Sequence, residues 1–264
     1  MKSKVIIWLL FAAFVVFLLV VPHANVKLTD LTSVFQGVSP EHWLGTDNLG
    51  RDLFALMVVG GQRTLLVVLI ATVLSFVGGS FLGMLAAYRG GILQVVIQFI
   101  ADFVTVVPSL VVALVFSGLF GFSSVMAGVV FGIGNMGQYI NLSYGLAAEV
   151  KEHDYINAET SLGARSPRIM FGHILPNIAR QLVVYMGNNA SSVVLQYAGL
   201  AFIGLGVDTT NPDWGTLLYD YRIYMITNPE LVLIPMAAIC LLALFFHYAF
   251  DDGKVNQEEL TIYD

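Results

Sequence analysis

An acidic residue inside a long apolar run is the first candidate for chemistry in this sequence. Asp102 lies about ten residues into the run near 93–120, which is roughly 15 Å along a helix that rises about 1.5 Å per residue. A charge at that depth of a membrane costs about 2.5–3.5 kcal/mol, so it needs a partner or a wet surface. The neighbouring runs supply no second acid for a proton relay, and structural pairing is the favoured interpretation.

Three polar residues recur at intervals of four in another run, near 178–206. Asn188, Ser192 and Gln196 therefore share one stripe of a helix. Polar side chains are costly in lipid and usually face other helices or a water-filled cavity. The stripe predicts either hydrogen bonds between helices or the lining of a translocation path.

The common catalytic and metal-binding motifs are missing from this sequence. It contains no H-E-x-x-H and no G-x-S-x-G, and its single cysteine, Cys240, allows neither an internal disulfide nor a cysteine metal site. The pair Gly253-Lys254 is followed by Val255 instead of the Ser or Thr of a P-loop. We expect no catalytic residue, no metal site and no cofactor on this chain. The sequence therefore does not favour a membrane-embedded enzyme, because it lacks a set of catalytic groups.

The elements that position these residues are expected to be membrane-spanning helices. The chain is 57% hydrophobic and 11% charged, whereas soluble domains carry about 25% charged residues, and its net charge of −6 argues against a nucleic-acid partner. The apolar runs are continuous rather than alternating, which favours helices over a β-barrel. About six spans are predicted: Val5–Val21, 64–88, 93–120, 122–148, 178–206 and 230–250.

The basic residues predict the orientation of these spans. With both termini in the cytoplasm, eight of the twelve Lys and Arg residues lie inside, which agrees with the positive-inside rule. We divide the chain into residues 1–60, which hold the first span and an extracytoplasmic segment, and residues 61–264, which hold the core. Small residues at four-residue spacing, Ser75-Gly79-Gly83 and Gly128-Gly132, predict close helix packing in that core.

A long cytoplasmic loop joins spans four and five at about residues 149–177. Asp154 is predicted to cap a short helix that runs through Leu162, and Gly163 to end it. Pro167 is predicted to open a second short helix, and Pro176 to start the next span. A compact helix–glycine–helix unit suits docking to a partner, although an ordinary loop is the simpler alternative.

This loop resembles the EAA loop of ABC-importer permeases, whose coupling helix contacts the ATPase. Asn157-Ala158-Glu159 stands at the E-A-A position, and Gly163 and Leu175-Pro176 match the family's glycine and Leu-Pro at the right spacing. The first Glu and the second Ala of E-A-A are replaced. The resemblance implies an ATPase-coupling role for Asp154, Tyr155, Asn157, Ala158, Glu159, Gly163, Ala164, Leu175 and Pro176.

Other stretches resemble the second permease subunit of dipeptide, oligopeptide and nickel importers. The segment His42–Asp52 reads H-W-L-G-T-D-N-L-G-R-D and is similar to that branch almost letter for letter. Further matches follow in chain order at Gly61–Leu65, Tyr88–Gly91, Asp102 with Pro108, Asp213–Gly215 and Asp252-Gly253.

The resemblance implies one half of an ATP-driven importer in a prokaryotic cytoplasmic (inner) membrane. Its partners would be a second homologous permease subunit, two cytoplasmic ATPase subunits that hold ATP and Mg, an extracytoplasmic substrate-binding protein, and membrane lipid. The solute would be a peptide, nickel or a related small molecule. Asp47, Arg51 and Asp52 would either hold a compact turn structure or contact the binding protein, and Trp214 would contact the binding protein.

An ion-coupled secondary transporter that works without an ATPase is the alternative function. It would need intramembrane ionisable residues or broken helices as ion sites. Asp102 is one such residue.

Overall fold

The computed structural model describes residues 2–21, 26, 28–121, 123–204 and 212–250, and for residues 2–7 and 10 only the backbone. In these ranges every regular element is helical, which confirms an all-helical chain. The predicted Asp252-Gly253 exit and the C-terminal tail lie outside the described residues. The helices are α1 Lys2–Val20, α2 Leu53–Leu74, α3 Ser80–Arg89, α4 Gly91–Val106, α5 Ser109–Phe120, α6 Ser124–Lys151, α7 Asp154–Ser161, α8 Ser166–Ile169, α9 Leu175–Phe202, α10 Trp214–Tyr221 and α11 Glu230–Phe250.

Over their described residues, the six predicted runs fall mainly on helical chain. A π-helical segment, Ser75–Gly79, joins α2 to α3 in one helix of 37 residues, Leu53–Arg89. By length and composition this helix and α11 could cross a membrane, and α4 with α5 could form a third span. Helices α6 and α9 have 28 residues each, but polar residues are spread along them and lower their hydropathy.

The second helix begins earlier than the sequence predicted. It starts at Leu53, inside the stretch assigned to the extracytoplasmic segment, because Asp52 accepts a hydrogen bond from the Ala55 backbone N–H at 2.7 Å. Such an N-cap satisfies one of the free N–H groups of the first helical turn.

The third predicted span is broken rather than continuous. Helices α4 and α5 meet at 79° across Val107 and Pro108. Proline lacks an N–H and pushes the preceding residue out of the helical region, and Val107 accordingly has φ −82° and ψ 117°. The proline was recognised in the sequence, but its effect on the helix was not.

Helix α6 lies at the centre of the fold, and the small residues pack against it as predicted. A Cβ on Gly79 would come within 2.5 Å of the Tyr139 Cβ, and one on Gly83 within 2.2 Å of the Ile140 carbonyl oxygen. On α6 itself, Gly128 faces Ile70 of α2 in the same manner. The predicted role of these glycines in helix packing is confirmed.

Candidate functional site

The short helix α7, which was predicted to be cytoplasmic, forms close to where the sequence placed it, with different details at its start. His153 is the N-cap, and Asp154 is the first helical residue, where its charge favours the positive end of the helix dipole. The predicted cap at Asp154 is therefore wrong. Gly163 ends the helix with φ +82°, a backbone conformation in which side chains are strained, as predicted.

The helical chain that leads into α9 also begins earlier than predicted. Pro167 lies in the first turn of α8 as expected, but a π-helical segment, Met170–Ile174, then continues without a break into α9. Pro176 lies in the first turn of α9, as predicted, but the helical chain that contains it already begins at Ser166. A proline inside a helix loses one hydrogen bond and crowds the carbonyl four residues back, here that of Gly172, and the wider π turn accommodates it.

Helix α7 presents most of its surface to solvent. Ile156 is its one buried residue, and it packs in a cluster with Ala147, Ile169 and Met170. Leu162 is 84% exposed. Of the nine residues implied in coupling, six are exposed and three, Glu159, Ala164 and Leu175, are partly buried; Pro176 of α9 is one of the exposed six, and the other five lie on or next to α7. These five are Asp154, Tyr155, Asn157, Ala158 and Gly163.

Side chains connect α7 to the first turns of α9. The Asn177 amide donates a hydrogen bond to the Tyr155 hydroxyl at 3.1 Å, and His173 Nε2 lies 3.9 Å from Glu159 Oε1. The Tyr155 ring lies 6.2 Å from the His173 ring. A displacement of α7 would therefore act on the base of α9.

Polar side chains of α4, α5, α6 and α9 form a surface that we call the polar face. It joins the stripe predicted on α9 to partners on other helices. Tyr185 donates to Gln138 at 2.5 Å, and Ser109 donates to Gln196 at 2.9 Å. Its members are Asp102, Ser109, Gln138, Asn141, Tyr185, Asn188, Ser192 and Gln196.

The polar face is open rather than buried. Asn188 and Ser192 are exposed, and Gln196 is partly buried. Asn188 lies 2.9 Å from His247 of α11, and the Ser192 hydroxyl donates back to the carbonyl of Asn188 at 3.1 Å. Exposed polar groups in helices of this length are what a wet path requires.

The polar face extends from the middle of the helices towards their far ends. At about 1.5 Å per residue, Asn141 lies about 15 Å from the end of α6 at Lys151, and Tyr185 lies about 15 Å from Leu175. Gln196 lies about 32 Å from Leu175 by the same measure. The hydrocarbon core of a bilayer is about 30 Å thick, so the polar face is about half as long as that core.

Four members of the polar face were missed in the sequence: Ser109, Gln138, Asn141 and Tyr185. A signal was available for three of them. Gln138 and Asn141 are three residues apart on one helix, and Tyr185 precedes Asn188 by three. Ser109 gave no signal, because it reaches Gln196 only through the bend at Pro108.

Asp102 is exposed on α4. Its carboxylate accepts a hydrogen bond from the Asn141 amide at 3.3 Å, and Asn141 is exposed as well. The predicted structural pairing exists, but the partner is an uncharged amide.

The segment that precedes α2 is held to α10 by a second group of polar side chains, which are buried. Asp47 is 0% exposed and Arg51 4%, and Arg51 Nε lies 2.7 Å from Asp47 Oδ2. The Tyr221 hydroxyl donates to the same carboxylate at 3.0 Å. Burial raises the pKa of the Tyr221 hydroxyl well above its ordinary value, so it keeps the proton that it donates.

The start of α10 completes this group, which we call the buried polar cluster. Asp213 caps α10 by accepting from the Thr216 N–H at 2.9 Å, and it also accepts from the Tyr197 hydroxyl at 3.0 Å. Trp214, 2% exposed, donates from Nε1 to the Met57 carbonyl at 2.9 Å. The cluster comprises Asp47, Arg51, Tyr197, Asp213, Trp214 and Tyr221.

The side chains of Asp47, Arg51 and Trp214 are thus buried, and that of Asp52 is nearly so. Asp52 caps α2, and its Oδ2 lies 2.8 Å from His42 Nδ1. Of the two alternatives for Asp47, Arg51 and Asp52, the compact turn structure is the one that their burial supports. Contact with a binding protein stays a prediction for the surface that they support.

Long apolar helices around an open polar surface, with an exposed short helix at one end, define an integral membrane protein with the features of a transport subunit. Residues 79–254 match the family of binding-protein-dependent transport system inner membrane components. The match covers more than half of the chain, and the chain belongs to this family.

Individual relatives place it in the peptide branch of ABC-importer permeases. It is 34% identical over 224 residues to the probable D,D-dipeptide transport system permease protein DdpC of Escherichia coli, covering 85% of this chain and 75% of that one. It is 32% identical over 223 residues to the dipeptide permease DppC of Alkalihalophilus pseudofirmus, covering 84% and 73%. It is 30% identical over 228 residues to the oligopeptide permease OppC of Bacillus subtilis, covering 84% and 73%. The resemblance drawn from the motifs is confirmed.

Proposed function

We propose that this chain forms half of the translocation path of an ATP-driven importer for peptides, nickel or a related small solute. The polar face would line that path. Five of its eight members are exposed and the other three are partly buried, and the surface is about half as long as a bilayer's hydrocarbon core is thick. A second, homologous permease subunit would close the path from the opposite side.

The connection between α7 and α9 carries this proposal. Helix α7 is exposed, and Tyr155 and Glu159 reach Asn177 and His173 at the base of the helix that carries half of the polar face. An ATPase that moved α7 would therefore move the lining of the path. Closure of two cytoplasmic ATPases on ATP and Mg would switch the path from inward-open to outward-open.

The remaining features of the assembly follow from this arrangement. The chain would cross a prokaryotic cytoplasmic membrane six times, through α1, α2–α3, α4–α5, α6, α9 and α11, with both termini inside. The surface over the buried polar cluster would then face outward and receive the substrate-binding protein. No ATP, metal or other cofactor would bind to this chain.

The composition of the purified complex tests the class of transporter. We expect the tagged chain, extracted in mild detergent, to bring a second permease and ATPase subunits with it, and proteoliposomes to take up solute only with ATP. A chain that purified alone and transported in an ion gradient without an ATPase would overturn the proposal in favour of the ion-coupled carrier.

Gly163→Ala tests the coupling role of the loop. The added Cβ meets open space, but the φ of +82° disfavours it by about 1 kcal/mol, so the turn after α7 should shift. We expect solute uptake per ATP hydrolysed to fall severalfold. The measurement is uptake and phosphate release in the same proteoliposomes.

Gly90→Ala is a stricter control for this test. Gly90 has φ +66° and ψ −162°, a conformation in which an alanine is strained at least as much, while its nearest neighbour to an added Cβ is 3.9 Å away and it lies in the turn between α3 and α4. We expect this variant to keep uptake per ATP unchanged. Equal loss of coupling in both variants, or in neither, would contradict a specific role for α7.

A further inference from the structure

Asp102 carries the one formal negative charge of the polar face, and its surroundings do not neutralise it. Its hydrogen-bond donor is the neutral amide of Asn141. Among the described residues Asp102 takes part in no ion pair within 4.0 Å. The other seven members of the polar face are neutral amides and hydroxyls.

The position of Asp102 makes that charge unusual. It is the twelfth residue of α4, about 16 Å from the cytoplasmic end of this helix, and Asn141 lies at a similar depth on α6. Both side chains are exposed. An uncompensated carboxylate near the centre of a bilayer is tolerated where it faces water or meets a cation from another molecule.

We propose that Asp102, oriented by Asn141, is a cation-selective site in the path that takes a protonated amine of the passing solute. This inference rests on the proposed role of the polar face as the path lining. The amide of Asn141 holds one carboxylate oxygen, Oδ1, and leaves Oδ2 for an ammonium group. Neighbouring Gln138 and Tyr185 already bond to each other and add no charge.

The geometry also indicates why a single acid suits transport. A carboxylate with several donors, such as Asp47, would hold its partner permanently. One acid with one weak donor attracts a cation and releases it again, and transport requires binding that is weak enough to permit exit.

The local potential beside Asp102 can be measured by cysteine chemistry in the assembled importer. In a Cys240→Ala background, Asn141→Cys is treated with two methanethiosulfonates of similar size, one bearing a trimethylammonium group and one a sulfonate. After correction for their rates with a free thiol, we expect the cationic reagent to react about five- to tenfold faster, as a negative charge a few ångströms away predicts.

Adding Asp102→Asn to this protein should abolish the preference, and adding Asp102→Glu should retain it. A ratio near one with Asp102 present would overturn the amine site, and is expected if a cation of the second permease neutralises the carboxylate. A ratio that survives Asp102→Asn would overturn it as well.

Ser192→Cys distinguishes failure of this site from failure of the path. If Ser192→Cys reacts with both reagents while Asn141→Cys shows no preference, the path stands and the amine site is wrong. If neither cysteine reacts, the polar face is closed to water, and both the path and the site are wrong.

Discussion

The polar face and the buried polar cluster use similar residues in opposite ways. In the cluster, the Asp47 carboxylate accepts from Arg51, from the Tyr221 hydroxyl and from the backbone N–H groups of Leu49 and Arg51, and it is shielded from solvent. On the polar face, Asp102 accepts from one amide at 3.3 Å and is exposed.

This difference distinguishes polar side chains that stabilise the fold from polar side chains that are available to a solute. A buried polar group is costly unless its hydrogen bonds are satisfied, so the cluster is expected to stabilise the fold only as a complete set. Exposed groups on the polar face contribute little to folding, and the role proposed for them is in transport. The comparison therefore predicts large stability effects in the cluster and transport effects without stability loss on the polar face.

Asp47→Asn should give the largest effect. It removes the carboxylate bonded to buried Arg51 and weakens the hydrogen bond to Tyr221, and breaking a buried ion pair costs about 3–5 kcal/mol. We expect a large fall in the thermal midpoint of the purified complex, or loss of the folded chain from the membrane.

Two variants sharpen this prediction. Asp30 also caps a turn through Thr32 and Ser33, but it is exposed, so Asp30→Asn should leave the midpoint nearly unchanged. The double change Asp47→Asn with Arg51→Gln removes both charges and should recover part of the loss. If Asp47→Asn proved as mild as Asp30→Asn, the cluster would not stabilise the fold.

Ser192→Trp should have the next largest effect, on transport alone. Its side chain is exposed on the polar face and donates to the carbonyl of Asn188 in its own helix, so an indole there would fill the path without displacing packed atoms. We expect uptake to fall at least about tenfold, equivalent to roughly 1.4 kcal/mol. The thermal midpoint should change little.

Leu241→Trp supplies the matched control for added bulk. Leu241 is an exposed residue of α11 outside the polar face, and uptake should survive this substitution. Ser192→Ala should also transport normally. Equal loss of uptake in Ser192→Trp and Leu241→Trp would remove the distinction between the two surfaces.

How far the sequence predicted these regions depends on the range of the interactions. The stripe of Asn188, Ser192 and Gln196 and the glycine that ends α7 follow from helix periodicity and backbone preference, and both were predicted. The pairing of Asp47 with Tyr221 joins residues 174 positions apart, and no local pattern reveals it.

The errors have similar physical causes. The early start of α2 at Leu53 was not predicted, because it depends on a single N-cap at Asp52. The helical chain before Pro176 was not predicted either, because it includes a π turn that local preferences do not indicate. Pro108 was visible in the sequence, but the apolar residues on both sides of it led to the prediction of one continuous span.

The smallest effect is expected at Asp220, which lies beside the cluster without being part of it. Burial raises the pKa of its carboxyl above the ordinary value, and nearby Arg51 only partly opposes this shift. A raised pKa in the folded state means that ionised Asp220 opposes folding at neutral pH, and that this cost disappears as the pH falls through the raised pKa. Asp220→Asn should therefore raise the thermal midpoint by about 1–3 °C at neutral pH.

The difference in thermal midpoint between Asp220→Asn and the unchanged protein should vanish as the pH falls towards the ordinary pKa range of an aspartate. Asp30→Asn should give a much smaller difference of the opposite sign, because Asp30 is exposed and hydrogen bonds from Thr32 and Ser33 lower the pKa of its carboxyl. Its ionised form favours the folded state above the unfolded pKa, and that contribution is lost as the pH falls through the lowered value. Thermal midpoints of Asp220→Asn and Asp30→Asn measured from pH 4 to 8 test both signs. If Asp220→Asn lowered the midpoint at neutral pH, Asp220 would belong to the satisfied set that holds α10, and the boundary of the buried polar cluster would have to include it.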